Sequence, residues 1–233
     1  EKLFKNLFPT PIKGILYPLC TMFVMLPLAL CILGPMGTIF GQGVANFIVW
    51  LQDILGPVAI GLVGALFPLL IVTGMHHALN SIAFVEYMKY GFDTCVMAGS
   101  YFMDYQLMSL CFASLIKSRK SENKAIALSC IATEGVGGIS EPTIFGIMLK
   151  SKRNILYVLL GGFAAGFYVG LMNVKMYVFA PCGFMAVLAY SGGSTANFVH
   201  GIIACAIAFI IPFVLALIFG LGIEEDEKVK VIK

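Results

Sequence analysis

Charge is what this sequence has least of. Asp, Glu, Lys and Arg make up 12% of its 233 residues, about half the ~25% of an ordinary soluble domain. So few charges cannot clothe a water-facing surface, which excludes the common soluble classes. The net charge of +3 is small and spread over loops, so a basic face for nucleic acid is excluded too. Tryptophan occurs once, at Trp50, and histidine three times. The seven cysteines (Cys20, Cys31, Cys95, Cys111, Cys130, Cys182 and Cys205) stand singly, mostly inside apolar runs. With no CxxC and no Cys/His pairing, neither a metal centre, a redox pair nor a bound cofactor is expected; the cysteines read as small buried hydrophobes. The opening EKLFKNLFPTPIKG lacks the order of basic region, apolar core and small-residue cleavage site that marks a signal peptide. It also lacks a starting Met, and the chain reads as a fragment.

What is abundant is apolar surface: 60% of residues are hydrophobic and the mean hydropathy is +0.95. Stretches such as 155–180 and 197–221 reach the ~20 residues that span a bilayer. The expected fold class is therefore all-α: a polytopic integral membrane protein with re-entrant helical hairpins. Leu3, Phe4, Leu7 and Phe8 fall on one helical face with Lys2, Lys5 and Asn6 between them, so residues 1–13 predict an amphipathic interfacial helix. Residues 14–222 form the membrane domain, and 223–233 a polar tail or linker. Within the domain, 15–33 predicts a first span, Gly34-Pro35 and Gly37 a turn, 42–55 a helix, and 57–74 a further membrane-depth segment. A semi-polar stretch, 82–106, follows. Between the last two spans lies a Pro/Gly/Ser loop, 181–195. Nineteen Phe and nine Tyr read mainly as interface anchors.

Topology follows from the basic loops. KSRKSENK (117–124) holds Lys117, Arg119, Lys120 and Lys124, and KSKR (150–153) holds Lys150, Lys152 and Arg153. The positive-inside rule assigns both to the cytoplasm. Segment 125–149 between them then cannot cross once; it dips in, turns at Gly-Gly-Ile-Ser-Glu-Pro and returns. Each arm, about ten residues, reaches roughly 15 Å, half a bilayer. The alternative is a single crossing with one basic loop outside.

Glu141, at the tip of that hairpin, is the leading functional candidate, because an ionisable residue at membrane depth marks a site and transporters bind substrates at broken helices. Its carboxylate can accept sugar hydroxyls or act as a base; the plainer reading is a helix cap at a helix started by Pro142. His76 and His77 are the second candidate, with Asn80 and Ser81 one turn on. Adjacent residues on a helix point about 100° apart, so one of the two histidines faces any given site. His200 reads as structural or interfacial. Glu134, Asp104, Asp93, Asp53 and Glu86 lie in or near apolar segments; any could line a cavity, yet charges at helix ends are usually solvated, and none is singled out.

GGISEPTIFGIMLK (137–150) resembles the Glu-Pro signature of enzyme IIC, the membrane subunit of the bacterial phosphoenolpyruvate-dependent sugar phosphotransferase system, in its glucose/glucoside superfamily. PLLIVTGMHHALNSI (68–82) resembles that family's Gly-x-His-His signature, and LYPLCTMFVMLPLALCILGPMG (16–37) matches as well, so the likeness covers nearly the whole chain. The resemblance implies a homodimer in the bacterial cell membrane, with an amphipathic helix and two re-entrant hairpins per protomer; this chain corresponds to the second half. It implies a sugar permease whose substrate is phosphorylated by a phosphocysteine on a separate IIB domain. By the same resemblance Glu141 and Ser140 bind sugar, His76 contacts the hydroxyl to be phosphorylated as base or as positioning donor, and His77 is its less constrained neighbour. Glucose and maltose relatives often carry an arginine eight residues before that histidine. Pro68 stands there in this sequence, which favours the β-glucoside, sucrose or trehalose branch. The competing expectation is an ion-coupled secondary transporter with Glu141 as the coupling group.

Overall fold

The computed structural model describes residues 10–118, 120–180 and 182–222. The tail 223–233 and all but the last four residues of the expected interfacial helix lie outside the described residues; residues 10–13 belong to the first described helix. The chain divides into two compact units, one ending at Val44 and the other beginning at Ala45.

In the first unit, α1 (Thr10–Leu28) passes into a π-helical stretch, Ala29–Leu33, and on into α2 (Gly34–Leu55), which runs past the unit's end. The turn expected at Gly34-Pro35 and Gly37 does not form. Proline is tolerated in the first turn of a helix, where its missing N–H has no partner to lose. The wider π turn just before it carries the chain into that new start.

The second unit is also helical: α3 (Pro57–Thr73), α4 (His76–Tyr90), α5 (Met103–Lys117), α6 (Ser121–Gly135), α7 (Glu141–Gly146), α8 (Lys152–Leu171) and α9 (Thr195–Phe219). Single 3₁₀ turns cover Met148–Lys150 and Gly183–Tyr190. Among the described residues there is no strand, and one isolated antiparallel bridge joins Asp93 to Met176. Three expected boundaries move. The basic loop at 117–124 is helical from Ser121, and the span expected over 155–180 begins inside KSKR and ends at Leu171. The loop expected over 181–195 contains the Gly183–Tyr190 turn, with Tyr190 fully buried.

Small residues set the core. The most extensive packing is α3 on α8, followed by α9 on α8 and α9 on α5. A Cβ added at Gly64 would lie 2.6 Å from the carbonyl oxygen of Gly162 and 2.7 Å from the Phe102 ring. Only glycine permits that approach, the small-residue packing typical of helices in lipid. Gln106 Nε2 donates to the Gly64 carbonyl at 3.3 Å inside the same contact. Tyr168 and His200 join α8 to α9 through a 2.7 Å bond between the phenol and Nδ1. Among the described residues two helices, α8 and α9, are long and apolar enough to cross a membrane by length and composition, and Pro18–Ile32 and α3 are shorter apolar helices.

Candidate functional site

The site begins with a helix that is made to turn back. α6 runs out at Gly135, and Gly138 (φ 65°) takes the left-handed conformation that residues with a Cβ rarely adopt. Its N–H bonds the Glu134 carbonyl at 3.0 Å, and Ile139 N–H bonds that of Thr133 at 3.2 Å. These bonds close the end of α6. Pro142 then sits in the first turn of α7, which lies back along α6: a Cβ on Gly146 would be 3.5 Å from Ile126 and 3.7 Å from Cys130. The turn-back expected from the sequence is therefore present. Its return arm, a six-residue helix followed after Ile147 by a 3₁₀ turn ending at Lys150, has the length expected.

The two arms are latched by polar groups. The Thr143 hydroxyl donates to Glu134 Oε2, and the Cys111 thiol donates to that hydroxyl at 3.6 Å. Glu134 and Thr143 are both fully buried. At the tip, Ser140 is buried and Glu141 exposed. Beneath the tip runs the 182–184 segment. A Cβ on Gly138 would come within 2.8 Å of the Cys182 Cβ, and one on Gly135 would meet the Phe184 ring.

His76 arrives from the other side. Gly74 (φ 74°) ends α3, and two residues later His76 opens α4. The His76 ring is half-buried and edge-on to Phe67, with centroids 6.2 Å apart. Helical geometry suggested that the two histidines point apart, yet their rings lie together at 3.9 Å, with His77 the exposed member. α3, which ends just before His76, touches α7, which begins at Glu141.

Beside Phe67 lies a cavity of about 110 Å³, lined by Phe67, Asn80, Met97, Ser100, Tyr101, Met103, Asp104 and Cys182. Asp104 is buried, and one of its oxygens, Oδ2, accepts the Gly183 N–H. Asp93 is buried as well and accepts the Ala98 N–H at 2.8 Å, which organises the irregular segment before α5. The expectation that the acids near apolar segments sit in solvent is thus overturned for Asp93, Asp104 and Glu134. The signal was in the spacing. Asp104 shares a helical stripe with Leu107, Met108 and Cys111, as Glu134 does with Ala127 and Cys130, and all of these are buried. Among the described residues no cluster of three or more His, Cys, Asp or Glu is placed to hold a metal.

The arrangement is thus a carboxylate and an amide lining a small, largely apolar cavity, with an imidazole packed against a ring of its wall, Phe67. Such a mixture suits a neutral polyhydroxylated ligand: carboxylate and amide oxygens accept hydroxyl protons while rings cover apolar C–H faces.

Comparison with known proteins agrees in kind. The profile of the family described as phosphotransferase system, EIIC matches residues 2–162. The chain is 26% identical over 221 residues to the arbutin-, cellobiose- and salicin-specific EIIBC component of the PTS system of Escherichia coli K12, covering 94% of this chain and 46% of that protein. Against the sucrose-specific EIIBC component of Bacillus subtilis 168 it is 25% identical over 228 residues, 98% of this chain and 49% of the relative. Against the mannose-specific EIIBCA component of Corynebacterium glutamicum it is 26% identical over 191 residues, 81% of this chain and 28% of the relative. The chain thus spans half or less of the length of these relatives. No solved structure matches it.

Proposed function

This chain belongs to the EIIC family of the phosphotransferase system, and from that premise we propose that it binds a sugar and carries it across the cell membrane for phosphorylation during entry. What supports the reading is that α7, which begins at Glu141, packs on α3, which ends just before His76, and that the His76 ring lies against the cavity-lining Phe67. Glu141 and Ser140 take sugar hydroxyls. His76 meets the hydroxyl that reacts, and the exposed His77 ring lies tilted against it.

The phosphoryl donor is a phosphocysteine on a separate IIB domain. The sugar hydroxyl attacks its phosphorus, an O–P bond forms, the P–S bond breaks, and the hydroxyl proton passes to His76. The relatives' names join the C component to B, or to B and A, components, which supports such a partner. The names specific for arbutin, cellobiose, salicin and sucrose, together with Pro68, favour a β-glucoside or sucrose-type substrate. The protein would be a multi-pass homodimer in the bacterial cell membrane. The apolar lengths of α8 and α9 support membrane insertion. So do outward-facing side chains on α9 such as Ile210, Ile218 and Phe219.

The test uses inverted vesicles carrying the full-length protein, supplied with IIB, IIA, the general phosphotransferase enzymes and phosphoenolpyruvate. Sugar phosphate should accumulate from salicin or sucrose, and only when phosphoenolpyruvate is present. Uptake of unmodified sugar driven by a proton or sodium gradient instead would establish the ion-coupled reading, with Glu141 as the coupling group.

A further inference from the structure

The cavity beside Phe67 holds acceptors in need of donors. Asp104 Oδ1 and Asn80 Oδ1 are buried without a hydrogen-bond partner among the described residues, and so is Nδ1 of His76, whose ring abuts the cavity-lining Phe67. A buried acceptor with no donor is costly, and natural structures contain few of them. Here two line one space, so the space is shaped for something that donates.

Its walls narrow the choice. Phe67, Tyr101, Met97 and Met103 make much of the lining apolar, which suits the C–H edge of a sugar; a bare metal cation would need a shell of about six oxygens. At about 110 Å³ the cavity admits three or four groups the size of water. That is room for one hydroxyl-bearing corner of a sugar, not for the whole ring.

The position is held relative to the hairpin. Asn80 lies four residues after His76, on the same face of α4. Asp104 is fixed by the Gly183 N–H, and a Cβ on Gly183 would collide with the Glu134 and Gly135 carbonyls of the hairpin arm. Cys182, in the cavity wall, touches the hairpin at Gly138. The position of Asp104 relative to the hairpin carrying Glu141 is therefore built into the packing.

We propose that Asp104 and Asn80 form a second, hydroxyl-reading subsite that receives one corner of the sugar held by Glu141 and His76, and that it decides which sugars bind. The proposal rests on the sugar-binding reading given above. Neither residue takes part in the phosphoryl transfer; both are specificity-determining.

The test is calorimetric titration of the full-length protein in nanodiscs with salicin, sucrose and the monodeoxy derivatives of each. Asp104→Asn keeps the side-chain size and an acceptor for Gly183 but removes the charge; Asn80→Leu removes the amide oxygen from a half-exposed helix. Asp104→Asn should weaken binding of the parent sugar about tenfold or more, and that loss should vanish for the one deoxy derivative lacking the hydroxyl read by Asp104. Asn80→Leu should show the same pattern for that hydroxyl or its neighbour, and it alone decides the matter if Asp104→Asn fails to fold. The subsite is overturned if the variants bind every sugar as the parent protein does, or if they weaken all derivatives equally, as a purely structural role would. If the unsubstituted protein binds neither salicin nor sucrose nor any derivative, the sugar-binding reading falls and the subsite with it. Sugar binding that both variants leave untouched removes the subsite alone.

Discussion

Thr143→Val is the sharpest perturbation of the hairpin. The Thr143 hydroxyl is the sole hydrogen-bond partner of the Glu134 carboxyl among the described residues, since Oε1 has none. Valine nearly matches threonine in shape and leaves little cavity. What it removes is the hydrogen bond, leaving a fully buried carboxyl with no donor. Orphaning such a group costs on the order of 2 kcal/mol. In the full-length protein that lowers the unfolding midpoint by a few °C. The assay is thermal unfolding of the full-length protein in nanodiscs, run as a double-mutant cycle with Glu134→Leu. The Thr143→Val penalty should largely disappear in the Glu134→Leu background, because no acceptor is left to orphan. An unchanged midpoint for Thr143→Val, or the same penalty in both backgrounds, would refute the latch.

Other consequences are as direct. Gly64→Val places new atoms against the Gly162 and Gly99 carbonyls and the Phe102 ring; it should cost at least ~1–3 kcal/mol by overpacking, seen as a lower midpoint and less folded protein. Tyr168→Phe removes the bond to His200 and should cost about 1 kcal/mol while leaving sugar affinity unchanged in calorimetry. His76→Ala should weaken sugar binding about five- to tenfold, the worth of one hydrogen bond. His77→Ala, on the exposed ring, should change it by no more than about twofold in the same titration.

Much of this was legible in the residues, and the failures have physical causes. The Gly-Gly-Ile-Ser-Glu-Pro turn announced itself, because left-handed glycine and a helix-starting proline act locally whatever surrounds them. The end of α3 at Gly74, just before the two histidines, was readable for the same reason. The continuous passage through Pro35 was not, since glycine and proline mark a break as readily as a helix start. Asp104 and Glu134 were passed over because each was weighed as a single charge near a helix end. Judged with their neighbours three and four residues away, both lie on buried stripes. The cavity needed tertiary structure, because its lining comes from α3, α4, the segment before α5, α5 itself and the loop at Cys182.

The central claim is that Glu141, exposed at the hairpin tip, holds the sugar together with His76. Sugar affinity of the full-length protein, measured by calorimetry for the unsubstituted form and for Glu141→Gln, tests it most directly. The account predicts a loss of about tenfold or more for Glu141→Gln at an unchanged unfolding midpoint. A Glu141→Gln protein that binds salicin or sucrose as tightly as the unsubstituted form would contradict it.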